Sequence, residues 1–458
     1  MRSNRLALPP WSLALVVAGP ILAAYLILAP PAGDLAAATY RSELFARVGF
    51  SAWDTGWYAA HGYWLPAYSL LSPVLGALLG VRALLAICAL AASLLFALIA
   101  ERALAPGAAR AAAAVFALGV CVGMLSGRVP YYLGFAVALG SVLALLRGRL
   151  APALVLAVLA AAASPVAGAF LALAAIAGAL AGRIFEPSGP TARPGARECL
   201  LLGACALAPI LVLSLAYPNG GYEPFAASAF WPVLAGVILI ALLLPRGQLS
   251  ARAHATLRAG AALYALALIA AYAIHTPMGG NAARLGALLA APLMTGVLWE
   301  RRPGALALLA LPLLYWQLAT PIRDYASIAG DPSVSASYYA PPRAELRRLD
   351  GGRATIVEVP LTRAHWESAY LAGREGVKLA RGWERQLDTR YGAIFYEKTF
   401  SAVAYRAWLA ENRVRYVALP DAPLDHAGAR EGALVAAGLP YLREFWHSQH
   451  WRIYRFVG

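Results

Sequence analysis

The sequence predicts a polytopic α-helical membrane protein that ends in a soluble α/β domain, and three observations carry that fold class. The chain of 458 residues is 61% apolar and only 13% charged, more apolar than a soluble fold can hide. Its apolar residues fall in blocks near the ~20 residues that cross a ~30 Å hydrocarbon core. From about residue 324 those blocks stop, and short β-type runs alternate with helical ones.

Taken in order, eleven blocks read as spans: 11–30, 82–101, 108–126, 130–146, 150–163, 165–182, 198–216, 228–244, 259–274, 284–299 and 304–320. The first has a basic start and no small-residue cleavage site, so it is read as an uncleaved span. Residues 150–182 could be two helices broken at Ser164-Pro165 or one kinked helix, and arginine placement decides. With Arg2 and Arg5 inside, every second loop carries arginines: Arg102/Arg110, Arg147/Arg149, Arg183/Arg193/Arg197, Arg246/Arg252/Arg258 and Arg301/Arg302. This is the positive-inside pattern, and it makes Ser164-Pro165 an outer turn. The same pattern accounts for the net charge of +15 without a nucleic-acid partner. Cys88, Cys121, Cys199 and Cys205 all fall in spans with no metal spacing and read as small hydrophobes.

This parity places the first loop (31–81), Gly127–Pro130, Tyr217–Ala227, His275–Ala283 and the segment 324–458 on one extracytoplasmic face. The terminal domain has β runs at Ala354–Val359, Val414–Leu419, Tyr441–His447 and Trp451–Val457. Helical patterns cover Ala402–Asn412 and Ala427–Gly438, the second closed by its glycine. Neither GxxxxGK[ST] nor a GxGxxG after a strand is present, which disfavours a cytoplasmic ATPase module.

The candidate chemistry lies in the outward loops. The first loop carries Asp34, Glu43 and Asp54 as candidate catalytic acids, on and after an expected amphipathic interfacial helix, Leu35–Val48. Asp34 suits both an N-cap and a general base or metal ligand. Trp57, Tyr58 and His61 are candidate substrate contacts, with His275 from a later loop. Trp53, Trp57, Tyr58, Tyr63, Trp64 and Tyr68 equally suit an interfacial aromatic belt. Arg284, beside Asn281 and the Gly279-Gly280 turn, and Arg128 in SGRVPYY are candidate phosphate ligands, because a planar guanidinium fork matches phosphate. Each also reads as a snorkelling anchor. In the terminal domain, His365, Trp366 and Glu367 with Arg381, Trp383, Glu384 and Arg385 form a dense polar-aromatic set that reads first as a solvated loop.

A first span followed by a loop acid, a long first outer loop, many spans and a terminal outer domain resemble the GT-C superfamily of membrane glycosyltransferases. GDLAAATYRSELF, GGNAARL, SYYAPPRAELRRL and ARGWERQLDTRYGAIFY are similar to stretches in bacterial membrane proteins grouped with it. The resemblance implies a polyprenyl-phosphate-linked sugar as donor and a cell-envelope glycan or lipid as acceptor. It gives Asp34 the place of the first-loop acid that acts as base or holds a divalent cation, Mg or Mn. Members often have paired acids there, whereas Leu35 follows Asp34 here. Two other classes compete: a transporter or flippase of a lipid-linked or polar substrate, and a noncatalytic envelope-assembly factor. A transporter is disfavoured by the lack of an internal repeat and the scarcity of midspan ionisable residues.

Overall fold

The computed structural model describes residues 9–184, 194–245, 249–351, 353–374 and 376–458. Arg2, Arg5, Arg193 and Arg246, with most of the loop 183–197, lie outside the described residues. Helix α1 (Pro10–Leu28) leads into a first-loop helix α2 (Gly33–Val48), a hairpin of β1 (Trp53–Asp54) with β2 (Tyr63–Trp64), and the short α3 (Ser72–Leu79). The bundle continues with α4 (Val81–Ala103), α5 (Pro106–Val122), α6 (Val129–Leu146), α7 (Leu150–Ala163) and α8 (Pro165–Ile184). It is completed by α9 (Ala196–Ala216), α10 (Ala227–Leu243), α11 (Ala251–Ala273), α12 (Arg284–Leu298) and α13 (Pro303–Ile328).

Every expected span is thus a helix. Nine of the described helices are long and apolar enough to cross a membrane, while α7, with 14 residues, and α10, with 17, fall short. At 1.5 Å per residue α7 reaches only about 21 Å, less than the hydrocarbon core. The eleven expected spans are thus nine long helices and two shorter apolar ones among the described residues. The stop in α7 has a local cause. Ser164 is extended at φ −156 and ψ 113, the conformation that a residue before proline prefers, so the chain breaks there instead of kinking.

The parity read from arginines also appears in space. Ser164 and Pro165 share a cavity lining with Asp34, Arg128, Glu223 and Asn281. Arg102, Arg147, Arg149 and Arg252 instead line a second cavity of about 980 Å³ with apolar walls, formed by the opposite helix ends.

The terminal domain contains α14 (Ala340–Asp350), β3 (Thr355–Glu358), α15 (Glu367–Tyr370), β4 (Val377–Leu379) and α16 (Arg385–Tyr391). It ends with α17 (Ala402–Glu411), β5 (Tyr416–Pro420), α18 (His426–Ala436), β6 (Leu442–His447) and β7 (Trp451–Phe456). The sheet order is β4-β3-β5-β7-β6, with β3 parallel to β4 and β5, and β7 antiparallel to β5 and β6. Ser401 and Asp425 cap α17 and α18 by accepting from Ala404 N–H and Gly428 N–H, which satisfies amides that a helix start leaves unpaired. Four strands and both of these helices match the sequence reading. Strand β4 has three residues and α16 seven, both too short to show a period.

Two expectations change. The bundle does not end at residue 323, because α13 continues through Pro321 to Ile328 and carries Asp324 in its last turns. Nor is α2 an interfacial helix with one wet face. Leu35, Ala36, Ala37, Ala38, Tyr40, Arg41 and Ser42 are all buried, because α2 is packed between α3, α4 and α6 on one side and the soluble domain on the other. Arg41 donates twice to Glu384 at 2.8 and 2.7 Å, and the Trp57 indole donates to the Ser368 carbonyl at 2.9 Å. The first loop is the floor on which the terminal domain rests.

Candidate functional site

A cavity of about 740 Å³ opens where the loop end of the bundle meets the soluble domain. Three backbone segments of the bundle shape its floor. The start of α2 contributes Asp34, the turn before α6 contributes Arg128, and the start of α12 contributes Arg284 with Asn281 just ahead of it. From above, the soluble domain contributes His365, Trp383, Glu384, Arg385 and Asp425, and the loop after α9 contributes Asn219 and Glu223.

Asp34 does not cap its helix. The N-cap is Ala32, and Asp34 lies in the first turn with no side-chain cap bond. Its carboxylate accepts instead from Arg128 Nε at 3.2 Å, while Arg128 Nη2 lies 3.4 Å from Asp324. The Ser126 hydroxyl donates to the same Asp324 oxygen at 2.6 Å. Arg128 therefore bridges the first loop to the end of α13. Arg284 lies over the Tyr131 ring at 5.5 Å, and Asn281 donates to the Pro277 carbonyl at 3.3 Å.

The loop bearing Glu223 is clamped on both sides. Glu223 N–H donates to the Thr276 carbonyl at 3.0 Å, and Gly279, at φ +37, packs so closely that a Cβ there would overlap the Glu223 carbonyl. Only glycine accepts both conditions. On the other side Tyr222 N–H donates to the Thr389 hydroxyl at 3.2 Å, and Arg390 donates to the Asn219 carbonyl. Burial pushes the Glu223 carboxyl up from its ordinary value, against the opposing pull of Arg385 and Arg284.

His365 faces the cavity in a left-handed backbone conformation, φ 59, which is strained for a side chain of its size. Its ring stacks on Trp383 at 4.5 Å between centroids, and its Nε2 lies 3.3 Å from Asp425 Oδ2. Burial disfavours the imidazolium, but the hydrogen bond and charge of Asp425 outweigh it and raise the His365 pKa.

The structure thus gathers Asp34, Arg128, Arg284 and Asn281 into one cavity and places the other sequence candidates elsewhere. Asp54 is buried outside the cavity lining, accepting from the Tyr40 hydroxyl at 2.8 Å and Gly56 N–H at 3.0 Å. Glu43 pairs with Arg374 at the outer side of α2, away from the lining. Trp57 and Tyr58 are fully buried, Trp57 stacked on Tyr40 and Tyr58 donating to the Glu384 carbonyl at 3.3 Å. His61 is exposed and stacks on Tyr391, while exposed His275 lies against Tyr222. Neither histidine lines the cavity. For the first-loop residues the physical reason is common: packing of the soluble domain on the loop divides its polar and aromatic residues between core, rim and cavity. The aromatic-belt reading fails for Trp57, Tyr58 and Tyr63, which are interior, whereas Trp64 and Tyr68 line the cavity.

Glu223, Glu384, Arg385, His365 and Asp425 were not among the sequence candidates for the site. The solvated-loop reading of the terminal polar-aromatic set is overturned, since His365, Trp383, Glu384 and Arg385 face the cavity and Trp366, Glu367 and Arg381 are buried. Their density around GWER was the available signal. Nothing in the sequence marked Asp425, which is remote from His365 along the chain.

Among the described residues no three His, Cys, Asp or Glu side chains form a group able to hold a metal. A divalent cation such as Mg asks for about six oxygen ligands, and the Asp34 carboxylate already accepts from a guanidinium. The residues around Asp34 do not by themselves make a cage for the expected Mg or Mn ion.

Fold and site define one class of molecule: a polytopic helical bundle whose loop end holds a polar cavity roofed by a soluble α/β domain. No family model matches the chain, and no curated protein matches it. Among solved structures it is similar to the Archaeoglobus fulgidus oligosaccharyltransferase tethered to an acceptor peptide containing the NVT sequon. The identity is 13%, over 90% of this chain and 69% of that one, with a TM-score of 0.49. The apo form of that enzyme gives a TM-score of 0.49 at 11% identity, covering 90% and 69% of the two chains. Its complex with an inhibitory peptide and a dolichol-phosphate gives 0.47 at 12% identity, again covering 90% and 69%.

Proposed function

We propose that the protein is a membrane glycosyltransferase that moves a sugar from a polyprenyl-phosphate donor to a hydroxyl of a cell-envelope glycan or lipid. One observation carries the reading: a carboxylate and two arginines from the membrane bundle, Asp34, Arg128 and Arg284, share a cavity with a polar wall from the soluble domain. Such a cavity suits a substrate whose lipid tail lies among apolar helices while its phosphate and sugar project into a polar chamber. The membrane orientation proposed is the one read from the arginines, with the soluble domain and the cavity extracytoplasmic.

In this reading Arg284 and Arg128 hold the donor phosphate through charge-assisted hydrogen bonds. The Asp34 carboxylate removes the proton of the acceptor hydroxyl as that oxygen attacks the anomeric carbon. The bond from anomeric carbon to phosphate oxygen breaks, the lipid phosphate leaves with the bonding electrons, and configuration inverts. The departing anion meets guanidinium groups already in place, which is how preorganised charge lowers a barrier. Trp64 and Tyr68, the loop aromatics in the lining, offer faces for a sugar ring.

The test is transfer of labelled sugar from polyprenyl-phosphate donors by the full chain in proteoliposomes, with glycan, lipid and peptide acceptors offered in parallel. Consumption of donor with labelled product supports the enzyme. Movement of intact donor across the bilayer without product makes the chain a flippase and refutes the proposal.

A further inference from the structure

Among the described residues the cavity holds one acid, Glu223, without a side-chain partner, and its position gives the donor site a further wall. Of the arginines in the lining, Arg41 is bound by Glu384 and Arg128 by Asp34 and Asp324. Arg284 and Arg385 have no carboxylate within ion-pair distance among the described residues, and each lies over an aromatic face, Tyr131 at 5.5 Å and Tyr396 at 5.2 Å. A guanidinium on a ring keeps its N–H donors for a ligand. Arg284 comes from the membrane bundle and Arg385 from the soluble domain, so the two reach the same chamber from different walls. Glu223 lies in the field of both, with Arg385 its strongest charge partner and Arg284 the next. Its backbone is fixed between the Thr276 carbonyl and Gly279, yet its carboxylate has no hydrogen bond among the described residues.

We propose that Arg385 is a phosphate-binding residue of the donor site, opposite Arg284, and that Glu223, in the same lining but beyond ion-pair distance of both, is a placeholder anion that balances their charge while no donor is bound. The inference rests on the proposed lipid-phosphate donor and deepens it: the roof of the cavity takes part in holding the phosphate.

Charge decides how the exchange works. A lipid-phosphate sugar is a phosphodiester with one negative charge. If Glu223 stays ionised, that charge enters a half-buried chamber already supplied with an anion, and like charges at such range repel. Glu223 therefore takes up a proton as the donor binds, and burial has already moved its pKa in the direction that makes this easy. The charged groups facing Glu223 are Arg385, Arg284, Asp34 and Arg128. The lining also holds the Arg41–Glu384 and His365–Asp425 pairs and the phenols of Tyr68, Tyr131 and Tyr217.

Methyl farnesyl phosphate, a short lipid phosphodiester that carries one negative charge throughout this range, is the probe. Its affinity for the detergent-solubilised full chain is measured by calorimetry between pH 6 and 8, with inorganic phosphate titrated in parallel. Wild-type affinity is expected to rise as pH falls. Glu223→Gln should bind about tenfold more tightly at pH 8 and lose most of the pH dependence. Arg385→Gln should weaken binding about ten- to a hundredfold, the usual effect of losing a charge-assisted hydrogen bond. Inorganic phosphate should bind at least about tenfold more weakly than the lipid. Unchanged or weaker binding by Glu223→Gln, with thermal unfolding like the parent, overturns the placeholder. Parent-like binding by Arg385→Gln overturns Arg385 as a phosphate ligand, and equal affinity for inorganic phosphate overturns the lipid source. No arm needs turnover. A chain that binds the probe in this way but transfers no sugar refutes the enzyme reading alone.

Discussion

Replacing Asp34 by asparagine tests the chemistry with little disturbance of the structure. The helix start is indifferent to the change, because Ala32 occupies the N-cap and Asp34 makes no cap bond. What is lost is the ion pair to Arg128 at 3.2 Å, whose side chains are 32% and 26% exposed. Coulomb's law at an effective dielectric constant of ~20 gives about 5 kcal/mol at that range. Desolvation, side-chain ordering and salt screening reduce the net value of such a partly exposed pair to about 1 kcal/mol. Arg128 is not stranded, since Asp324 remains 3.4 Å away.

Against this small structural cost stands the chemistry. Asparagine cannot accept the acceptor's proton, and removing a general base slows turnover by about 10²–10⁴-fold. The slowest-case barrier change is therefore roughly 2.7–5.4 kcal/mol, well above the stability change. The assay compares initial rates of sugar transfer in proteoliposomes with methyl farnesyl phosphate affinity and thermal unfolding of the same preparation. The expected result is a folded protein that still binds the probe and transfers sugar at least ~100-fold more slowly. Parent-like turnover removes Asp34 from proton transfer and leaves the His365–Asp425 pair as the titratable group to examine next.

Three further outcomes follow from the packing. Glu384→Gln leaves Arg41 buried without its carboxylate and should destabilise the full chain by about 3–5 kcal/mol, read as a drop in thermal unfolding temperature; the double variant Arg41→Met with Glu384→Met should recover much of that loss. Cysteines placed at Ser401 and Gly304, in a chain whose native cysteines are replaced, should label with a membrane-impermeant thiol reagent in intact cells at 401 and not at 304; the reverse pattern inverts the proposed orientation. Burial pushes the Asp388 carboxyl up to about 6, above its ordinary value of 3.8 and against the pull of Arg381. The folded state therefore binds this proton more tightly, so the associated stability is present at pH 4 and is lost as pH rises through 6, on the order of 2 kcal/mol. Thermal unfolding between pH 4.5 and 7.5 should show that slope, and Asp388→Asn should flatten it.

The bundle was legible because its signals are local and repeated. A run of apolar residues with arginines at one end states its length and its polarity without reference to any other part of the chain, and Ser164-Pro165 shows its break in two residues. The soluble domain was legible where an element was long enough to show a period, as at β5–β7, α17 and α18, and illegible at β4 and α16. Among the site residues, Asp34, Arg128, Arg284 and Asn281 could be found because a charged or amide side chain beside an apolar span is conspicuous. Asp54, Trp57 and Tyr58 looked equally conspicuous, yet they are buried, and hydrogen bonds to Tyr40, the Ser368 carbonyl and the Glu384 carbonyl fix them in place.

By itself, the sequence determined that the chain is a multi-helix apolar bundle with a soluble C-terminal α/β unit, and which loops share a face. Hydrophobic length and charge alternation are properties of each segment and survive without tertiary information. Only the tertiary structure decided which polar residues meet. The pairings Arg41–Glu384, His365–Asp425 and Arg128–Asp324 each join distant parts of the chain, and no local pattern encodes them. They form because burying the first loop under the soluble domain removes water from its charged groups, and a charge removed from water must find a partner where the fold supplies one.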